Sequence, residues 1–471
     1  KMDKETPVAA WQWIGHDDDV RILLPYLLKT LQSNGLPKVA ATPVMGLHAA
    51  GSKLYFLGDK QTLSADEVWE GYTGPISWLP SQREHHSMDL CPTCPEGMKE
   101  FLATTIPKLN VPTSIWPMIG WYAASPLKPW FESNGYRFPV LNVAGTKGSG
   151  KTTLIQRVFM PMLGQTDPKT YDSGTTRFVT LTLLGSSNAI PIAFSEFRYE
   201  LVERFIRFVL LAYDTGHDPR GKGDQTTVDY PLSAPFSVDG EDLIEDPAAR
   251  ERIIVVHLHP DAVAEDSEAY LEFQKLRKYP LHEFGGYYIQ QALKLEPSFL
   301  ARLQFSREAM FTAFPKRLPD RVRNNHIVTY FGIRLWCDIV GAEPPEANVL
   351  RASITSVFDL ESGRSRTLVD TMIEDVINAI AQGHTLFNYM YRDEDRTLWF
   401  QLAPVHSWWL SVRRRSGRGA LEKDAIKSQF KEAPYSISPQ VVNDVWQYGI
   451  DLQKAVDAGL DVPSKLSNRA F

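Results

Sequence analysis

The chain has 471 residues, too many for one ordinary core and suited to two to four domains. Hydrophobic residues make up 43% and charged residues 23%, an ordinary globular balance, and no apolar run reaches the ~18 residues that a membrane-spanning helix needs. The net charge of −6 does not favour a small basic nucleic-acid-binding domain, although an acidic exterior is compatible with a local basic channel.

The first residues, Lys1 to Pro7, are polar and lack the apolar centre of a signal peptide. Cys91, Cys94 and Cys337 are too few for a disulfide framework, which points to a reducing compartment, the cytoplasm. Cys91 and Cys94 form a CxxC pair, but a structural zinc takes four ligands and no second pair stands at a usual spacing, so no structural zinc is expected.

Five regions differ in texture along the chain. Residues 1–90 read as a small α+β domain, with a helix expected over Val20–Ser33 and a strand at Leu54–Leu57 between Gly51 and Gly58. Residues 91–138 read as a helical linker or collar, whose Trp116, Trp121 and Trp130 are expected to pack in a core. Residues 139–260 alternate short apolar runs with helical patterns, the signature of a parallel α/β sheet. The runs are Pro139–Ala144, Ala189–Phe194, Ala234–Val238 and Ile253–Leu258. Residues 261–364 read as a helical lid, including an amphipathic segment Leu318–Val340. Residues 365–471 fit a winged-helix-like unit, with a helix at 366–384, a strand at Thr397–Leu402 and more helix.

The strongest signal is Gly145, Thr146, Lys147, Gly148, Ser149, Gly150, Lys151, Thr152 and Thr153. It follows the buried-strand pattern of Pro139–Ala144 and leads into a helical pattern from Thr152 to Leu163. Glycines let successive amide N–H groups turn inward around a β-phosphate, and the helix start adds partial positive charge. Lys151 can reach the β/γ oxygens and the Thr152 hydroxyl can ligate Mg²⁺, so ATP with Mg²⁺ is the expected ligand.

The next apolar strand ends in Ser195-Glu196. Glu196 suits the polarisation of an attacking water, and Ser195 can hold a Mg²⁺-bound water without bringing charge to the ion. The strand Ala234–Val238 leads to Asp239, which, with Ser237 as the alternative, is a candidate sensor of the γ-phosphate. Before the strand Ile253–Leu258 stand Arg250 and Arg252, a pair suited to a finger that neutralises a neighbour's γ-phosphate, with Arg252 preferred.

These motifs, in this order, resemble the AAA+ class of P-loop ATPases. Ser173–Phe178, Leu183–Ile192 with Ser195-Glu196, and Ser233–Asp239 with Glu241 and Arg250–Ile253 are similar to helicase-like ATPases of phages and mobile elements, of the MCM-like and superfamily III-like kind that accompany primases. The resemblance spans about residues 100–340. It implies an AAA+ parallel-sheet core with an N-terminal α+β domain, a helical lid and a winged-helix-like C-terminal domain. It also implies a homohexameric ring with ATP between subunits, single-stranded or forked DNA as partner, a primase or primase-polymerase in cis or trans, and a bacterial or phage-infected cytoplasm with no membrane. Lys151 and Thr152 then carry over as Walker A, Glu196 as the Walker B glutamate and Arg252 as the finger. Arg321 and Arg323 are the nearest matches to a second sensor in the lid. Ser195 departs from the usual Asp.

Candidate DNA contacts are Lys222, a glycine-flanked lysine suited to a hairpin tip, and Arg413, Arg414 and Arg415 on a helix with Trp408 and Trp409. The expected activity is an ATP-hydrolysing DNA helicase or translocase. The second reading is a nucleotide-switched assembly or loader ATPase with a protein partner and slow turnover, which Ser195 favours.

Overall fold

Uninterrupted apolar strands need cover on both faces, and the computed structural model supplies it by burying one parallel sheet between helices. It describes residues 40–471 apart from 72, 80–85, 198–201, 222–226, 242, 245, 315–317, 360–363, 366, 382, 384–386, 416–422, 443–444, 459, 461 and 463–471. Residues 1–40 divide from 41–471, and of residues 1–39 only 23, 25–27, 29–30 and 33 are described, all helical. The apolar stretch Val8–Ile14 lies outside the described residues.

An antiparallel meander comes first: β1 (Gly46–Ala50), β2 (Lys53–Leu57), β3 (Gln61–Leu63) and β4 (Val68–Glu70). Its Met45, Leu47, Phe56 and Leu63 belong to the same hydrophobic core as the parallel sheet. Asn188 fixes it there, accepting from the Leu47 N–H at 2.8 Å and donating to the Leu47 carbonyl at 2.8 Å.

Helices α1 (Met98–Thr105) and α2 (Pro112–Ala124) lead to β5 (Val140–Ala144). The sheet is completed by β6 (Thr170–Asp172), β7 (Ile192–Phe197), β10 (Phe236–Gly240) and β11 (Ile253–His257), in the order β11-β5-β10-β7-β6, all parallel. Four of the five strands match the expected apolar runs. The edge strand β6 does not, since its three residues, two half-exposed and one exposed, carry no hydrophobic run. Between the strands lie α3 (Lys151–Leu154), which continues as a π-helical turn Ile155–Phe159, then α4 (Arg177–Leu184), α5 (Val202–Tyr213) and α6 (Pro247–Arg250). An antiparallel hairpin, β8 (His217–Gly221) with β9 (Thr227–Pro231), projects between α5 and β10.

Helices α7 (Glu268–Leu276), α8 (Gly285–Leu293), α9 (Phe299–Ala313) and α10 (Asp320–Val340) follow. The expected amphipathic pattern of α10 gives way to near-complete burial, from Val322 to Val340 with few breaks. The reason is its close crossing with α2. A Cβ placed on Gly332 would lie 1.9 Å from the Gly120 carbonyl oxygen, and one on Gly120 would lie 2.2 Å from that of Thr329. Helix propensity favours Ala over Gly by about 1 kcal/mol, but overpacking of this kind costs about 3 kcal/mol, so the clash wins. Gly332→Ala is therefore expected to lower the denaturant midpoint, and a raised midpoint would show that the helices do not approach this closely.

His326 on α10 is fully enclosed and neither ring nitrogen has a hydrogen-bond partner among the described residues. Burial holds its pKa down at about 3 against an ordinary 6.5. The unfolded chain therefore binds the proton more readily, and stability falls as pH drops through 6.5 toward 3. Between pH 7 and pH 5 this amounts to about 2 kcal/mol. Urea unfolding of His326→Leu should show that much less acid sensitivity than the parent chain; equal slopes would remove His326 as the cause.

The C-terminal unit has its own core. Helix α11 (Leu368–Ala381) precedes β12 (Tyr389–Arg392) and β13 (Thr397–Phe400), then α12 (Leu402–Arg415), α13 (Lys423–Glu432), β14 (Ser436–Val442) and β15 (Val445–Asp451), with sheet order β12-β13-β15-β14.

Candidate nucleotide site and arginine cluster

The buried strand β5 ends at Ala144, and the chain turns at once through Gly145–Gly150 into α3. Gly148 and Gly150 have φ of 84° and 82°, a region that a side chain would strain, and this opens the loop into a cradle. A Cβ on Gly145 would collide with the Ser149 hydroxyl at 2.5 Å. Thr146, Lys147 and Gly148 are exposed, as is Thr153. Lys151 folds back over the loop and donates to the carbonyls of Gly145 at 2.7 Å and Thr146 at 3.0 Å. Burial lowers its pKa, while Asp239, Glu241 and Glu196 pull the other way. An ammonium held among carbonyls and flanked by carboxylates is placed to exchange those partners for an anion.

Strands β10 and β7 meet at the mouth of this loop with a bulge. Val238 pairs with Phe194 and Gly240 with Phe197, so Ser195 and Glu196 together lie opposite Asp239. Glu196 adopts φ 57°, uncommon for a residue with a side chain, and its carboxylate side is exposed. Ser173 pins the bulge, its hydroxyl donating to the Glu196 carbonyl at 2.9 Å and its N–H to the Ser195 carbonyl at 2.9 Å. Asp239 is 2% exposed, and its Oδ2 accepts from the Thr152 hydroxyl at 2.8 Å. Burial raises its pKa to about 6, against the Thr152 hydrogen bond and the Lys151 charge that lower it. Ser237 lies one pleat deeper, 3.2 Å from the Tyr122 hydroxyl, and is wholly buried.

The arginines expected as finger and second sensor gather at the other end of the sheet. In the register Ile253↔Val140 to His257↔Ala144, Arg252 sits beside the start of β5 while the phosphate loop leaves its end. Five strand residues separate them by about 16 Å. Arg252 donates to the Ala248 carbonyl at 2.7 Å and to Asp214 at 3.2 Å, and stacks over Tyr213 at 5.7 Å. Arg321 reaches Glu251 at 3.6 Å with its side chain 51% exposed. The charges of Arg321, Arg252 and Arg137 all bear on Tyr213, whose hydroxyl donates to Asn325 at 2.9 Å. Arg250 is buried and donates to the Ser356 carbonyl. Arg323 is buried against the Phe311 ring at 4.1 Å, which leaves it no reach toward a phosphate.

Lys222 lies outside the described residues, between the described strands β8 and β9. The base of that hairpin is clamped by Asp218, itself buried, which accepts from Arg177 at 2.5 Å and Arg207 at 3.1 Å. These three residues were not legible as a group, because Asp218 stands 41 residues from Arg177 and 11 from Arg207. On α12 the expectation of an arginine face is corrected for Arg413. It is buried over the Trp409 ring at 4.8 Å, so it serves the core of this unit. Nothing is described of the Arg414 and Arg415 side chains. Cys91 and Cys94 are free thiols, and no group of three or more His, Cys, Asp or Glu side chains converges to hold a metal among the described residues.

No family model and no curated protein matches the chain. Among solved structures it is similar to the SCCmec type IV Cch, described as an active helicase, at 15% identity and a TM-score of 0.58, over 95% of this chain and 86% of that one. It is also similar to the apo A form of the NrS-1 C-terminal region, at 12% identity and a TM-score of 0.32, over 74% and 88%. A JCV helicase follows at 12% identity and a TM-score of 0.29, over 45% and 64%. The likeness to the first is one of fold, in which the parallel five-stranded sheet carries the glycine loop. No helix among the described residues is long and apolar enough to cross a membrane.

Proposed function

We propose that this chain is an ATP-dependent DNA helicase or translocase that works as a homohexameric ring in the replication of a phage or mobile element. The observation that carries the reading is the separation of its two charged sites. The phosphate loop leaves the C-terminal end of β5, and the arginine cluster lies at the opposite end of the same strand pair. Those arginines cannot reach their own loop, so a neighbour's nucleotide is the ligand they suit, and a closed ring lets every subunit both give and receive.

ATP would be held by Gly145–Thr152 with Mg²⁺ at Thr152, a hydroxyl beside a carboxylate being a hard oxygen set that suits this ion. An ion held there would supply positive charge against the phosphates. Glu196 would polarise the attacking water. The hairpin β8–β9, with Lys222 in the sequence that joins its strands, suits gripping a DNA strand, and the buried Asp218 clamp would transmit its position to α4 and α5 through Arg177 and Arg207. The C-terminal unit supports a winged-helix reading, with β14–β15 as the wing. Lys423, Lys427 and Lys431 are exposed at helical spacing on α13, away from buried Ile426 and Phe430, and suit phosphate contacts better than Arg413. The likeness to a solved chain described as an active helicase supports the reading through fold alone.

The test is ATP hydrolysis with and without single-stranded DNA, and strand separation on a forked duplex, with Lys151→Ala as the control. DNA-stimulated turnover and unwinding are expected, both lost with Lys151→Ala as nucleotide affinity falls about 100-fold or more. Hydrolysis with neither stimulation nor unwinding would replace this reading by the assembly-ATPase one, which the uncharged Ser195 favours.

A further inference from the structure

In the phosphate site β7 carries Ser195, an uncharged residue, where the resemblance expects an Asp, yet a carboxylate stands beside Thr152. Asp239 arrives from the neighbouring strand β10, and its Oδ2 accepts the Thr152 hydroxyl at 2.8 Å. Its other oxygen, Oδ1, is buried and has no hydrogen-bond partner among the described residues. A buried carboxylate oxygen without a donor is costly, and a cation is the partner that both its charge and its lone pairs suit. Lys151 is the cation that bears on it, but that ammonium is engaged by the Gly145 and Thr146 carbonyls. Glu196 is the other acid whose charge bears on Asp239, and it adds to the local demand for positive charge.

The backbone explains how a residue of β10 comes to this position. The bulge opposite Asp239 accommodates both Ser195 and Glu196 between the pairs Val238–Phe194 and Gly240–Phe197. Gly240 is required for that close approach, since a Cβ there would lie 2.3 Å from the Phe197 carbonyl oxygen. The carboxylate of β10 thus stands level with the end of β7 and next to the helix start that carries Thr152. All donors present are oxygen, with no sulfur or imidazole, which selects a hard divalent cation.

We propose that Asp239 is the charged residue that orders the Mg²⁺ shell at Thr152, in place of a carboxylate at position 195, a reading that rests on nucleotide binding at this loop. Ser195 then contributes a hydroxyl without charge, and the site's acid groups divide between two strands: Asp239 for the ion and Glu196 for the water.

The experiment is calorimetric titration of the full chain with ATPγS, in Mg²⁺ and in EDTA, for the parent, Asp239→Asn, Ser195→Ala and the pair Ser195→Asp with Asp239→Asn. Asparagine keeps the shape and the acceptor for Thr152 while removing the charge. Mg²⁺ should tighten binding to the parent by about tenfold or more, as charge-assisted ligation requires. In Asp239→Asn that gain should vanish while metal-free affinity stays within about threefold, because phosphate contacts from the loop persist. Ser195→Ala should keep the gain, and the paired variant should regain it. A full Mg²⁺ gain in Asp239→Asn, or its loss in Ser195→Ala, overturns the assignment and leaves the nucleotide site standing. Failure of the parent to bind ATPγS in either condition instead overturns the nucleotide reading itself.

Discussion

Glu196→Gln is expected to leave ATP bound and to lower its hydrolysis about 10²- to 10³-fold, the range for losing a positioned general base or water-orienting group. Glutamine keeps the length and shape of the side chain and removes only the charge and the strong acceptor, so affinity measured with ATPγS should hold. The backbone adds a second expectation. Glu196 occupies φ 57° at the bulge, a conformation that costs a side-chain-bearing residue on the order of 1 kcal/mol. Ser173 holds it there through hydrogen bonds to the carbonyls of residues 195 and 196. Glu196→Gly should therefore be as inactive as glutamine yet no less stable than the parent, because glycine adopts this conformation without strain. Quenched-flow hydrolysis in single turnovers and a denaturant series measure both. Wild-type turnover in Glu196→Gln would remove Glu196 from the chemistry, and a marked destabilisation in Glu196→Gly would mean the side chain is there for packing.

The phosphate loop was legible because its whole logic is local. A buried strand, a loop with three glycines and a helix start are contiguous in sequence, so no tertiary information is needed to read them. The four apolar runs of the sheet were legible for the same reason, each enclosed on both faces and bounded by polar residues. What lay beyond reach depends on partners distant in sequence. Asp239 reads as a strand-tip carboxylate, and its place beside Thr152, 87 residues away, arises from a bulge that leaves no mark on the hydrophobic pattern. The hairpin clamp at Asp218 is hidden in the same way.

Residue type also misled where packing overrode it. An arginine run beside two tryptophans reads as a solvated basic face, but Arg413 lies flat on Trp409, whose indole donates to Asp375 at 2.8 Å, and both are interior. Helix α10 reads as amphipathic because Arg, Asn, His and Thr punctuate it. Several of these turn inward all the same: Asn325 bonds Tyr213 and the Glu251 carbonyl, Thr329 bonds the Asn325 carbonyl, and His326 is enclosed without a partner among the described residues. Asn325 thus ties α10 to the arginine cluster.

That cluster yields the second large effect. Arg321→Ala is expected to spare nucleotide affinity and stability while lowering turnover about 10³-fold, the worth of an arginine that neutralises phosphate charge from a neighbouring subunit. Its tie to Glu251, a 3.6 Å pair at a half-exposed site, is of the kind worth at most about 1 kcal/mol and is readily exchanged. Arg252, the arginine first expected in this role, is committed to the Ala248 carbonyl, Asp214 and the Tyr213 ring, so its reach is limited unless those contacts break. Arg252→Ala should therefore cost stability, about 1 to 3 kcal/mol from the partners left unsatisfied, as well as turnover, whereas Arg321→Ala should cost turnover alone. Mixing Arg321→Ala subunits with the parent separates a shared site from a private one. The two charged sites lie at opposite ends of the β5–β11 pair within a chain, so a shared site requires that each variant subunit disable its neighbour and that activity fall well below the fraction of parent subunits. Activity strictly proportional to that fraction would confine the arginines to their own chain and remove the main argument for a ring.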